Sequence, residues 1–117
     1  NALDHPGRAE ARAGLARAAG RPVVQPARNP SAAAVTVDQW LGPALAAMDP
    51  ARQPLARAIR DASPLLHWVR YDGYPRAEIG EAFPAGHAFA SLMGHAAPFR
   101  ATDFDLGLFL IAPHVLY

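Results

Sequence analysis

The chain has 117 residues, with eleven Arg, no Lys, ten acidic side chains and five His, for a formal net charge of +1. Its 51% hydrophobic and 18% charged content fits one folded domain and excludes a wholly disordered chain. The close charge balance argues against a dedicated nucleic-acid binder, and the absence of Cys excludes disulfides, thiolate metal sites and Cys nucleophiles.

Residues 5–19 read as a short Ala- and Arg-rich helix with Gly20 as its stop, and Leu15 is its only large apolar side chain. Residues 21–34, with Pro22, Pro26 and Pro30, read as an extended linker. Residues 35–48 have helical spacing of Trp40, Leu41, Leu45 and Met48, with Thr36 or Asp38 as caps and Pro43 tolerable in a first turn. Asp49-Pro50 restarts the chain with Asp at the cap and Pro at the first helical position. The next helix is expected to run to about Ala62 and to bury Leu55, Ile59 and Ala62, with Arg52, Arg57 and Arg60 outward. The two helices make a hairpin.

From Pro64 the texture changes. Residues 66–72 are aromatic and β-branched and read as a strand ending at Gly73. Residues 74–84 read as loop. Residues 87–93 alternate, with His87, Phe89, Ser91 and Met93 on one face and Ala88, Ala90 and Leu92 on the other. Residues 94–98 break the strand, and residues 104–112 form the last one, closed by Pro113. Helices first and strands afterwards predict an α+β fold. The expected organisation is a helical region over 1–63, with the linker at 21–34, and opening strands of a barrel over 64–117.

The run 106–113 is too short for a membrane helix, no secretory signal is visible, and a cytoplasmic location is expected. Asn1-Ala2 reads as a tag scar, and the apolar residues up to Tyr117 read as a truncation inside a fold.

Three stretches carry a resemblance: Leu66-His-Trp-Val-Arg-Tyr-Asp72, Ala88-Phe-Ala-Ser-Leu-Met-Gly94 and, above all, Pro98-Phe-Arg-Ala-Thr-Asp-Phe-Asp-Leu-Gly-Leu-Phe-Leu-Ile-Ala-Pro-His-Val-Leu-Tyr117. They resemble the cupin-type dimethylsulfoniopropionate (DMSP) lyases over about the last half of the chain. The resemblance implies a cupin-like β-barrel and a β-elimination that releases dimethyl sulfide and acrylate. It implies a divalent metal (Zn, Fe or Mn) held by His and Glu residues of a segment that would follow Tyr117. The ligands would thus lie outside these residues, and the chain alone is expected to be inactive. Tyr117 matches a family position that faces the substrate, and so stands as the candidate active-site residue. His114 departs from the small residue often found there. The implied partners are a small zwitterionic carboxylate and a second copy in a homodimer, with no nucleic acid and no membrane.

Other residues carry groups capable of chemistry. A base near neutrality needs help if it is a phenol, since a free Tyr has a pKa of about 10. His87, His95 and His114 make a conceivable three-His metal site. A fully extended strand would set the first two more than ~25 Å apart, so they could share a metal only if the chain turned at Gly94. Ser91 near a His could be a nucleophile, but no Gly-x-Ser-x-Gly elbow surrounds it. Glu78, Glu81, Asp103 and Asp105 could supply carboxylates, and read first as solvated loop or strand-end charges. Trp40 and Leu45 read as hairpin core. Arg52, Arg57 and Arg60 are offset by Asp49 and Asp61. The competing functions are a non-catalytic helical interaction module of a cupin-like binding or sensor protein, and a cupin isomerase or dioxygenase.

Overall fold

The computed structural model of the chain describes residues 5–18 and 32–116. Three helices come first: α1 (Gly7–Ala18), α2 (Ala34–Ala46) and α3 (Gln53–Ala62). Then come β1 (Trp68–Val69), the one-turn helices α4 (Arg76–Ile79) and α5 (Ala82–Ala85), β2 (His87–Gly94), β3 (Phe99–Arg100) and β4 (Leu106–Ile111). The order is the expected α+β one. Gly20 and most of the proline-bearing linker lie outside the described residues.

The α2–α3 turn follows from its residues. Asp49 Oδ1 accepts the Ala51 N–H at 2.8 Å, and Pro50 opens a single 3-10 turn, where its missing N–H is not needed. Gln53 Nε2 donates back to Met48 O at 2.9 Å. Elsewhere the helices depart from expectation. The N-cap of α2 is Ala33, with no side-chain cap. Thr36 is buried, and its hydroxyl donates to Ala85 O at 3.3 Å, which ties α2 to α5 instead. Pro43 sits in the body of α2, not in its first turn. It is exposed and near the helix end, so the carbonyl it leaves without an N–H can turn to water. In α3 the buried residue is Ala56, while Leu55 is 54% exposed. A methyl at that position lets two short helices approach closely, which a Leu would prevent.

The sheet is built around β2. It pairs antiparallel with β1 and β4, and its last residues pair parallel with β3. The four strands form an open sheet, not a closed barrel. β1 is far shorter than the 66–72 stretch expected, and β3 was not expected. The segment 74–84, expected as loop, contains α4 and α5.

Side chains alternate across the pleat, so the registers sort residues onto two faces. Trp68 pairs with Ala90, and Ala88 and Ala90 pair with Leu110 and Leu108. These side chains form the main core, with Ala33, Val37, Trp40 and Leu41 packed on them from α2 and its N-terminus. Ala88 and Ala90 are fully buried. Their small size lets α2 lie close to the sheet, so the bulk comes from Trp40, Trp68 and the Leu residues. Trp68 Nε1–H donates to Ser63 Oγ at 3.2 Å, which satisfies the indole inside that core.

A bulge then changes the parity of β2. The register runs Ser91↔Gly107 and next Met93↔Leu106, leaving Leu92 as the extra residue. Met93 therefore does not share a face with His87, Phe89 and Ser91, as simple alternation predicts. It joins a second cluster with Ala18 and Ala101, against Phe104 and Leu106. Gly14 of α1 meets Phe104 so closely that an added Cβ would stand 2.7 Å from the ring. The first helix is docked through its smallest residue.

Candidate functional site

One face of the sheet carries α2; the opposite face meets the one-turn helix α5 at its His87 end, through Phe83. The pairings Val69↔Phe89 and Phe89↔Phe109 set one rung of this open face. Ser91↔Gly107 sets the rung above, and continuing the β1 register places His67 opposite Ser91. His87↔Ile111 sets the rung below, where Tyr71 meets His87 through a hydrogen bond. Three rungs thus present His67, Ser91 and Gly107; Val69, Phe89 and Phe109; and Tyr71, His87 and Ile111.

Aromatic rings run along this face. Phe89 and Phe109 lie with centroids 6.2 Å apart and planes tilted by 49°. Phe109 stacks on His87 at 5.7 Å, and His87 stacks on Phe83 at 4.7 Å. Tyr74 meets Phe83 edge-on at 5.1 Å, and Tyr71 meets Tyr74 the same way at 4.8 Å. Phe109 is nevertheless 46% exposed. Such a ring on an antiparallel strand leaves apolar area facing outward.

His87 organises the lower part of the face. It is buried, and its Nδ1 lies 2.8 Å from Phe83 O, while its Nε2 accepts the Tyr71 N–H at 3.1 Å. Since Nε2 accepts from an amide, Nδ1 is the donor to Phe83 O. Both ring nitrogens are thereby used, and neither is free to ligate a metal. The short helix α5 exists at this corner to supply Phe83: its buried ring stacks on His87 and its carbonyl accepts from it. Gly86 O accepts the Ala112 N–H at 2.7 Å and closes the corner against β4.

The upper part is polar. Ser91 Oγ donates to Asp105 Oδ1 at 3.1 Å. A recess of about 180 Å³ opens beside it, lined by His67, Val69, Phe89, Ser91, Ala96 and Pro98. His67 is half-buried and makes no side-chain hydrogen bond among the described residues. At the opposite end, Tyr74, Ile79, Phe83 and Leu116 line a second recess of about 240 Å³.

The residues singled out in the sequence are distributed differently. Tyr117 lies outside the described residues. Among the described residues no three of His, Cys, Asp and Glu come together as a metal-holding group, so His87, His95 and His114 do not assemble one. His114 instead takes a left-handed φ of 62°, a region where a small residue is at home. Ser91 Oγ has Asp105 Oδ1 and Met93 O, not an imidazole, as its acceptors. Asp103 pairs with Arg17 of α1 at 3.1 Å, and Glu81 pairs with Arg76. Arg52, Arg57 and Arg60 are exposed. Alternation of the odd-numbered residues along 67–71, 87–91 and 107–111 held the signal for the open face. The roles of Phe83 and Tyr74 had no such signal, since Phe83 enters from the one-turn helix α5 and Tyr74 from the chain before α4, outside the strands.

No helix among the described residues is long and apolar enough to cross a membrane. No curated protein matches the chain, and no solved structure does. The model of the dimethylsulfoniopropionate (DMSP) lyase family, in contrast, matches residues 9–117, from the first helix through the aromatic face to the end of the chain. With that match spanning nearly every residue, the chain belongs to the DMSP lyase family.

Proposed function

We propose that the chain serves a carbon–sulfur lyase that splits DMSP into dimethyl sulfide and acrylate. The family match over residues 9–117 carries this reading. The chemistry is a β-elimination. A base takes the proton from the carbon next to the carboxylate, that C–H pair becomes the new C=C bond, and the C–S pair leaves with sulfur. A carboxylate activates this proton weakly, so charge must be stabilised as it develops.

In this reading the open face is the floor of the substrate pocket. Its rings exclude water from the reacting carbons and give the substrate an apolar surface to lie on. Tyr117 is proposed as a substrate-facing residue, on the strength of the resemblance of the segment that ends in it. A divalent metal would supply Lewis-acid stabilisation of the carboxylate. The described residues do not fit one: they bring no three ligands together, and the most buried imidazole, His87, has both nitrogens engaged. No step is therefore assigned to a metal on these residues. The isolated 117 residues are expected to release no dimethyl sulfide.

The test is dimethyl sulfide in the headspace over DMSP. It compares the chain with a version joined to a His- and Glu-bearing metal segment of a family member, each with and without added divalent metal. The expected result is release from the joined protein with metal, and none from the chain alone. Release by the chain itself would overturn the inactivity. No release from a folded, metal-loaded joined protein would overturn the lyase reading.

A further inference from the structure

We propose that the recess beside Ser91, floored by Phe89 and backed by the Asp105 carboxylate, holds the sulfonium head of the substrate. This deepens the lyase reading and rests on it for the identity of the ligand. A sulfonium group is a cation with no N–H or O–H to donate. It needs negative potential together with apolar walls for its methyl groups.

The recess offers both. The negative face of the Phe89 ring attracts a cation held within about 6 Å of its centroid. Val69, Ala96 and Pro98 supply apolar walls. Ser91 has one hydroxyl proton, with Asp105 Oδ1 at 3.1 Å and Met93 O at 3.4 Å as acceptors, so the oxygen has only lone pairs left for a ligand. Asp105 takes part in no ion pair among the described residues, whereas Asp72, Asp103 and Glu81 all have Arg partners. Its charge is not cancelled locally. A hard cation such as Ca²⁺ fits poorly, because it wants six or more oxygen ligands, and no metal-holding group of three His, Cys, Asp or Glu is found among the described residues.

The other recesses fit less well. The one lined by Tyr74, Ile79, Phe83 and Leu116 has rings, but none of its lining side chains is hydrogen-bonded to a carboxylate, as Ser91 is to Asp105 in the proposed recess. The one at His95 and Arg100 places a guanidinium at its wall, which repels an onium ion.

Charge bookkeeping gives the site a kinetic signature. Sulfur is cationic in bound DMSP and becomes neutral as the C–S bond breaks. Attraction to Phe89 and Asp105 is therefore greatest in the ground state and fades toward the transition state. Such binding lowers KM without raising kcat, and it lets neutral dimethyl sulfide depart.

The experiment titrates the isotope-labelled chain by NMR with three probes: trimethylsulfonium, DMSP, and isocaproate, the same carboxylate with a neutral carbon in place of the sulfonium sulfur. Both sulfonium compounds should shift amides around Val69, Phe89 and Ser91. Asp105→Asn and Phe89→Leu should each weaken sulfonium binding about three- to tenfold. Asp105→Asn should leave isocaproate binding as it was. Ser91→Ala is the milder variant should Phe89→Leu disturb the fold. In the joined, active protein the Asp105→Asn loss should appear in KM rather than kcat. Absence of sulfonium-induced shifts, or an equal loss for isocaproate, overturns the site. Sulfonium binding without any dimethyl sulfide release from the joined protein instead sinks the lyase reading and leaves this site standing.

Discussion

Phe89 packs on the bare backbone of Gly107: a Cβ built at Gly107 would stand 2.4 Å from Phe89 Cε2 and 3.0 Å from Ala90 O. The contact is across a strand pair, at the rung where Ser91 and Gly107 face each other. A missing side chain on β4 therefore sets where the ring on β2 lies. Gly107→Ala should force the ring off its position and cost about 1–3 kcal/mol. Urea denaturation checks this. The cost should shrink in a Phe89→Ala background, where the ring is gone. Equal costs in the two backgrounds would place the strain on the Ala90 carbonyl instead.

The two faces of β4 should answer differently to truncation. Leu110 is 6% exposed and sits in the main core, while Phe109 is 46% exposed on the open face. Leu110→Ala should cost about 2–4 kcal/mol through a cavity beneath α2. Phe109→Ala, although it removes a larger side chain, should cost less than Leu110→Ala. Denaturant midpoints of the two variants decide the order, and a reversed order would mean that the open face is covered in solution.

His87 should be a structural residue. His87→Phe keeps the stacking on Phe83 and Phe109 but removes the acceptor of the Tyr71 N–H and one donor to the Phe83 carbonyl, which keeps the Gly86 N–H, for about 1 kcal/mol per lost hydrogen bond. His87→Gln can restore part of this, since its amide both donates and accepts. The expected order of melting temperature is native, then Gln, then Phe. A Phe variant as stable as the native protein would show that water on the Tyr71 N–H and the Gly86 N–H on the Phe83 carbonyl suffice.

Asp49 should anchor the helical hairpin. Asp49→Ala frees the Ala51 N–H at the Pro50 turn and should cost about 1 kcal/mol. Asp49→Asn or Ser should recover most of it, which thermal unfolding would show. No loss in the Ala variant would assign the turn to Pro50 and the Gln53–Met48 bond alone.

How much was legible depends on the range of the forces involved. Asp49-Pro50, the helical spacing around Trp40 and the alternation along 87–91 act over a few residues, and each appears in the structure as expected. The α+β order follows from them, and the family resemblance was carried by contiguous strand residues. Misplaced features depend on distant partners. Thr36 could have capped its own helix, but Ala85 O, 49 residues away in sequence, claims its hydroxyl. Met93 changes face because β4 meets β2 one residue out of step. Ala56 replaces Leu55 as the buried residue because α3 packs on α2. The helices at 76–79 and 82–85 are single turns, too short to stand alone, and the second is held where Phe83 docks onto His87. Likewise, the sequence held His67, Phe89, Ser91 and Asp105 on three separate segments. Only strand pairing brings them to one recess, because register is set by many weak contacts acting together, which no single stretch of chain contains.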